Sequence, residues 1–288
     1  MQRAILAILV AIVLVAGSRA AQASPDTLTT CGSTVSNAVL AADLDCSSSS
    51  GWAVTITPGG SLDLAGHILT GTPSRGTSGS GYAFGGGIHC QGNCTITGSG
   101  GAIVSSPGLP AETWYNTGVY SDTSLKTDTI TITDAHITGW TGMGLFGTGS
   151  ANLSNCTVAG NDYGVVVWWQ LTMDTCFVTN NTGEGAHVGR GTISNSTFDG
   201  NNYDAVYALG RINFVNSTIS GSNYLGMFAG KLVASGSSIT GSCIAPYGEP
   251  CADIQGVHRP RLRTSSCGTS ARFTDDPAAP SWHVCGQD

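Results

Sequence analysis

An apolar residue two positions before a glycine or asparagine recurs at Leu69, Ile96, Ile137, Val158, Val178, Phe198, Ile219 and Ile239, and from Ile137 onward the steps are 21, 20, 20, 21 and 20 residues. Units this small cannot bury a core alone, so each must be covered by its neighbours. The chain holds 41 glycines and only 10% charged residues, a composition that also suits disordered tracts, but no disordered tract keeps such a register.

Within each period three short segments alternate apolar and polar residues, the pattern of half-buried strands. The first yields an inward column of Val119, Met143, Val165, Ala186, Val206 and Met227. The second yields Ile132, Leu153, Met173, Ile193, Phe214 and Ala234, preceded two places earlier by Ile130, Ala151, Leu171, Gly191, Ile212 and Leu232. The third is the recurring anchor itself. Three strands per turn, each stacked on its counterpart in the next, predict an all-β fold. The form expected is a single-stranded, right-handed parallel β-helix, a three-faced solenoid of about eight coils with disulfide-tied terminal caps.

Three places before the anchors stand Asn93, Asp134, Asn155, Thr175, Asn195 and Asn216, read as a ladder turned inward and bonded to the coils above and below. Asn93, Asn155, Asn195 and Asn216 also lie in Asn-x-Ser/Thr sequons, where an inward orientation favours the structural role over a glycan. Ten cysteines are present, an even number; the connectivity expected is sequential, Cys31 with Cys46, Cys90 with Cys94, Cys243 with Cys251 and Cys267 with Cys285, although spacing does not prove it. Cys156 and Cys176 occupy one inward position in consecutive coils. A bridge between them completes the disulfide set; stacked free thiols are the alternative, because strands about 4.8 Å apart make the geometry tight. No Cys-x-x-Cys pair occurs, and neither a metal nor a cofactor is expected.

Arg3, the apolar run Ala4 to Val15 and the small-x-small stretch Ala21-Gln22-Ala23 read as a signal peptide over 1–23, so the mature chain is expected to start at Ser24 and to be secreted, extracellular or in the cell envelope. The run is shorter than the roughly twenty residues that cross a bilayer, so stable membrane insertion after cleavage is not expected. Loss of Arg3 and Arg19 leaves nine basic against eighteen acidic residues, a formal charge of −9 that disfavours nucleic acid as a partner. The rest divides into an N-terminal cap and first coil at 24–60, the β-helix at 61–242, and an irregular C-terminal cap at 243–288 that loses the period and gains prolines. A monomer is expected.

Cys31-Gly32-Ser33-Thr34, Ala42-Asp43-Leu44-Asp45-Cys46 and Leu62-Asp63-Leu64-Ala65-Gly66-His67 look like the first coils of a known group, and Arg259-Pro260 through Cys267-Gly268-Thr269-Ser270 to Trp282-His283-Val284-Cys285 looks like its closing segment. By these motifs the chain resembles the secreted right-handed parallel β-helix repeat proteins of bacteria, within the pectin-lyase-like superfamily, in which Asn usually stands at the place of Ala65. The resemblance covers nearly all of the mature sequence. It implies the fold but no single chemistry, since the group holds lyases, hydrolases, epimerases, tailspike-like proteins and members with no known activity. His67 falls inside a motif shared for fold reasons and is read as an inward, hydrogen-bonded structural residue.

In that superfamily substrates usually lie along the outer face of the first strand. The period is stretched beside this strand by the Gly-rich 72–85 and by 99–116, which carries Trp114 and Tyr115; long loops on a rigid scaffold are where function tends to sit. Outward positions of the first strand read His89, Tyr120, Gly144, Val166, His187, Tyr207 and Phe228, followed two places on by Asp122, Phe146, Trp168, Gly189, Leu209 and Gly230. Trp169, Arg190 and Lys231 come one residue later. An aromatic stripe with scattered polar groups suits the flat faces of sugar rings, so the candidate substrate-binding residues are Tyr120, Phe146, Trp168, Trp169, Tyr207, Phe228, Trp114 and Tyr115. The competing reading is that the stripe packs on itself and beneath the two loops.

A lyase or epimerase needs a base and a cation to neutralise a uronate carboxylate, and a hydrolase needs two facing carboxylates. Glu184, His187 and Arg190 in one coil form the candidate catalytic set, with Asp162 and Asp204 in the flanking turns, although such acids are also ordinary in solvent-facing turns. Three functions remain open. The first is a non-catalytic exported protein that contacts extracellular or cell-surface polysaccharide through the aromatic face. The second is a polysaccharide lyase or epimerase on that face, and the third a purely structural envelope protein.

Overall fold

The computed structural model describes residues 24–72, 85–106, 116–121, 126–241, 252–273 and 282–286. The expected signal peptide, Trp114, Tyr115, Asp122 and the pair Cys243 and Cys251 lie outside the described residues.

The chain forms a parallel β-helix. The described residues contain strands and no helix, and successive coils pair in parallel, as Ala186–Ser194 does with Tyr163–Asp174 on one side and Val206–Val215 on the other. In these later coils the first and second strands run on as one strand bent at an irregular corner, where the register shifts between Val167 and Gln170, Val188 and Gly191, and Ala208 and Arg211. Both therefore belong to a single large sheet, and the third strands form another.

The core is the set of inward columns. Ile130, Ala151, Leu171, Gly191, Ile212 and Leu232 stack in register, as do Ile132, Leu153, Met173, Ile193, Phe214 and Ala234. Their apolar side chains are buried, each aliphatic one contributing roughly 1.5–3 kcal/mol relative to exposure. Two assignments change. Val119 pairs with Leu145, not Met143, which pairs with Tyr163. On the third face Leu69 stacks on Ile103 and then Ile137, whereas Ile96 lies on the second face between Leu62 and Ile132. Ile-Thr-Gly at 96–98 mimics the anchor because a second strand also ends at a turn there.

The inward asparagine ladder is at a different place from the one expected. Asp134, Asn155, Thr175, Asn195 and Asn216 occupy left-handed corners with φ between 48° and 55°, and the last four are exposed, so they turn outward and the burial argument against glycans on these asparagines lapses. Asn93, also exposed, accepts the Thr129 amide at 2.7 Å. The buried ladder is Asn161, Asn181 and Asn201, 1%, 1% and 0% exposed, at the turn from the third face into the next coil. Asn161 Nδ2 donates to Asn181 Oδ1 at 3.1 Å, and Asn181 Nδ2 donates to Asn201 Oδ1 at 2.8 Å. The same amides donate to the carbonyls of Ile137, Val158 and Val178, satisfying buried backbone.

Disulfides join Cys31 with Cys46, Cys90 with Cys94, and Cys267 with Cys285. Cys156 and Cys176 are free buried thiols, so the bridge between them is absent. They begin a second ladder: the amides of Cys156, Cys176, Ser196 and Ser217 donate to Cys176 Sγ, Ser196 Oγ, Ser217 Oγ and Ser237 Oγ, at 3.4, 3.1, 3.0 and 3.2 Å. In-register stacking holds the two side chains parallel at the coil spacing, wider than the Cβ separation of about 3.8 Å that a disulfide needs.

His67 is also not inward. It is half-exposed, with Nδ1 3.4 Å from Asp43 Oδ1. Stacking extends beyond the expected body of the helix. Ser33–Leu40 pairs with Trp52–Asp63, and within 243–288 Ile254–Gly256, Arg261–Arg263 and Ser266–Cys267 each pair with the coil before them.

Candidate functional site

The outer face of the first strands carries one continuous column: Thr55, His89, Tyr120, Phe146, Val166, His187, Tyr207, Phe228 and Gln255, each paired with the next. Phe146 is therefore in line with Tyr120, where Gly144 was expected, because the coil between them is longer than the later ones. The rings stack along the axis. Centroids are 5.4 Å apart for Tyr120 and Phe146, 4.8 Å for His187 and Tyr207, and 4.6 Å for Tyr207 and Phe228, with interplanar angles of 14°, 28° and 13°. Trp52, which the sequence did not single out as a site residue, joins this stack against Tyr120 at 5.1 Å.

Stacking removes much of the stripe from solvent. Tyr120 is 8% and Phe228 6% exposed, so these two are chiefly structural. Trp168 differs: the bulged corner throws its side chain outward, 66% exposed. It overhangs an apolar cleft of about 270 Å³ lined by Met143, Phe146, Tyr163, Val166 and His187. Trp169 turns the other way and packs with two cations, Lys126 Nζ at 4.2 Å and the Arg190 guanidinium at 4.4 Å from its ring.

At the wall of the cleft, His187 Nδ1 lies 2.8 Å from Glu184 Oε2. Asp204 is buried, accepts the Leu225 amide at 3.2 Å, and has its carboxyl pushed up to about 7 by burial and then by the charge of Glu184. Burial followed by the charge of Glu184 also raises the phenols of Tyr163 and Tyr207. The fold thus gathers Glu184, His187, Asp204 and two tyrosines around one negative centre. Arg190, expected in the same cluster, instead lies on Trp169. Asp162 accepts the Thr182 hydroxyl at 2.9 Å. Tyr163 escaped the sequence reading because it starts its strand at a position with no counterpart in the aromatic column. Among the described residues no three His, Cys, Asp or Glu side chains converge as metal ligands.

Fold and site together define a parallel β-helix protein with an aromatic cleft on one face, beside a hydrogen-bonded His187 and Glu184. No family model matches the sequence, and no curated protein does. Among solved structures, the crystal structure of the Dettilon tailspike protein (gp208) aligns with 87% of this chain and 56% of its own, at 13% identity and a TM-score of 0.45. The chain therefore spans little more than half the length of that protein.

Proposed function

We propose that this chain is an exported, right-handed β-helix of the pectin-lyase-like kind that holds a polysaccharide on its first face, at the cleft under Trp168. The observation that carries the reading is the pairing of an indole 66% exposed with an adjoining hydrogen-bonded His187 and Glu184. A sugar ring offers an apolar face to the first and hydroxyls to the second. Trp168, Phe146, Tyr163 and His187 are the contact residues in this reading, and the buried members of the stripe act as scaffold.

Depletion of the purified protein by a panel of insoluble and soluble polysaccharides tests it. Wild type should be retained by at least one glycan, and Trp168→Ala should bind that glycan at least about tenfold more weakly. Equal retention of the two proteins would sink the proposal.

A catalytic role on the same face is the second reading, favoured by the contact of His187 with Glu184 beside a carboxyl that titrates near neutrality. Ultraviolet absorbance of unsaturated products would reveal a lyase, and exchange of the C5 hydrogen an epimerase. In either case His187→Ala should abolish turnover without lowering the melting temperature.

A further inference from the structure

The lysines and arginines of the described residues begin only at Lys126, and all but Arg272, which lies on a first-face strand against Trp282, gather on the second face or at its edge. Register stacks them. Gln170 pairs with Arg190 and Arg211 with Lys231; Gly191 pairs with Ile212, which sets Arg190 in the coil before Arg211 at the same position. Val233 pairs with Arg261, which brings Arg259 beside Lys231. Arg190, Arg211, Lys231 and Arg259 thus follow one another on consecutive coils, about 4.8 Å apart. Lys126 prolongs the line through Trp169, which it shares with Arg190, and Arg261 and Arg263 broaden its far end.

Carboxylates are scarce on this surface. From Ser150 onward the outward second-face positions of the described residues hold one acid, Asp174, whose oxygens are taken by Ser194, Asn195 and Thr175. Among the described residues no acid forms an ion pair with any of these cations, and Arg211 reaches only Asn213 Oδ1, at 3.1 Å. Arg190, Arg211, Arg259, Arg261 and Arg263 are exposed.

Like charges opposite one another on neighbouring strands repel, and in a chain with a formal charge of −7 acids are plentiful but placed elsewhere. We propose that the second face binds an acidic polysaccharide, a linear glycan with carboxylates repeated along it, laid parallel to the helix axis. The coil step is close to the length of one pyranose unit, so successive cations meet successive sugars, and guanidinium groups take carboxylates through paired hydrogen bonds. Thr172, Thr192 and Asn213 stand in the adjacent outward column for the hydroxyls. The net negative charge of the molecule opposes the denser phosphates of nucleic acid. This surface is separate from the Trp168 cleft and does not rest on it.

Affinity electrophoresis of the full chain through polygalacturonate, with dextran as neutral control, tests the proposal. Polygalacturonate should retard wild type, and salt should weaken the effect. Arg211→Gln combined with Lys231→Gln should bind roughly tenfold more weakly, with a melting temperature no lower than wild type because a repulsion is removed. If that double variant is unstable, Arg261→Gln, at an exposed position, replaces it and should also weaken retardation. Trp168→Ala should keep full retardation, which separates this surface from the cleft. No retardation of wild type, unchanged retardation in folded variants, or equal affinity for single-stranded DNA would overturn the assignment.

Discussion

His187 Nδ1 and Glu184 Oε2 meet at 2.8 Å across the turn that enters one first-face strand, and both charges act on the buried carboxyl of Asp204 in the next coil. Burial first and Glu184 second raise that carboxyl from 3.8 to about 7, against the Leu225 amide and His187, which pull the other way.

A pH dependence follows from the sign of this shift. The folded chain holds the Asp204 proton more tightly than the unfolded chain, so stability contributed by this group is full at low pH and declines as pH rises from near 4 through about 7. Asp204→Asn removes the ionisation. Its melting temperature relative to wild type should therefore be higher at about pH 8 than at about pH 5; the opposite trend in calorimetry would refute the linkage.

Asn181 is the centre of the buried amide ladder. Asn181→Ala leaves the amide groups of Asn161, the carbonyl of Val158 and Asn201 Oδ1 without a bond that each now makes. The expected cost is about 2–4 kcal/mol, read as a lower denaturation midpoint, while Asn180→Ala at the exposed neighbouring position should be milder.

Thiol chemistry distinguishes the Cys156 and Cys176 ladder from a disulfide. Both should resist alkylation in the native protein and react once it is unfolded without reductant. Cys156→Ser and Cys176→Ser should each change stability by less than about 1 kcal/mol, since Ser196, Ser217 and Ser237 already fill the same role in later coils.

Two tryptophans should behave in opposite ways. Trp140 is 1% exposed and donates through Nε1 to the Ile103 carbonyl at 3.3 Å, so Trp140→Ala should cost about 3–5 kcal/mol. Trp168→Ala should leave stability within about 0.5 kcal/mol and act on glycan affinity alone. Urea titration of both variants checks the contrast.

Local rules and one global period made the fold legible. Alternation at Ile130 and Ile132, or Ile212 and Phe214, reports which side of a strand faces in, and a coil length near twenty residues reports which strands stack; neither needs tertiary information. The same information assigned the aromatic column from Val166 to Phe228 and put Glu184 and His187 in one coil. It failed where coil length changed. Leu145 and Phe146 shift by two places because the preceding coil is longer, and Ile96 matched the anchor pattern from another face. It failed also where one motif has two environments. Asn195 and Asn201 both sit in polar turns of the same period, and only the path of the chain at each corner decides that the first is exposed and the second buried.

The sequence alone determined the parallel coil and most of its inward columns, because each follows from spacing along the chain; sequential pairing anticipated three of the disulfides, whose connectivity only the structure decides. Tertiary structure alone decided that Trp168 is exposed while Tyr120 is covered, that Arg190 turns to Trp169 rather than to Glu184, and that the second-face cations align. Those outcomes depend on side-chain directions at bulged corners and on contacts between coils, distances that no residue spacing encodes.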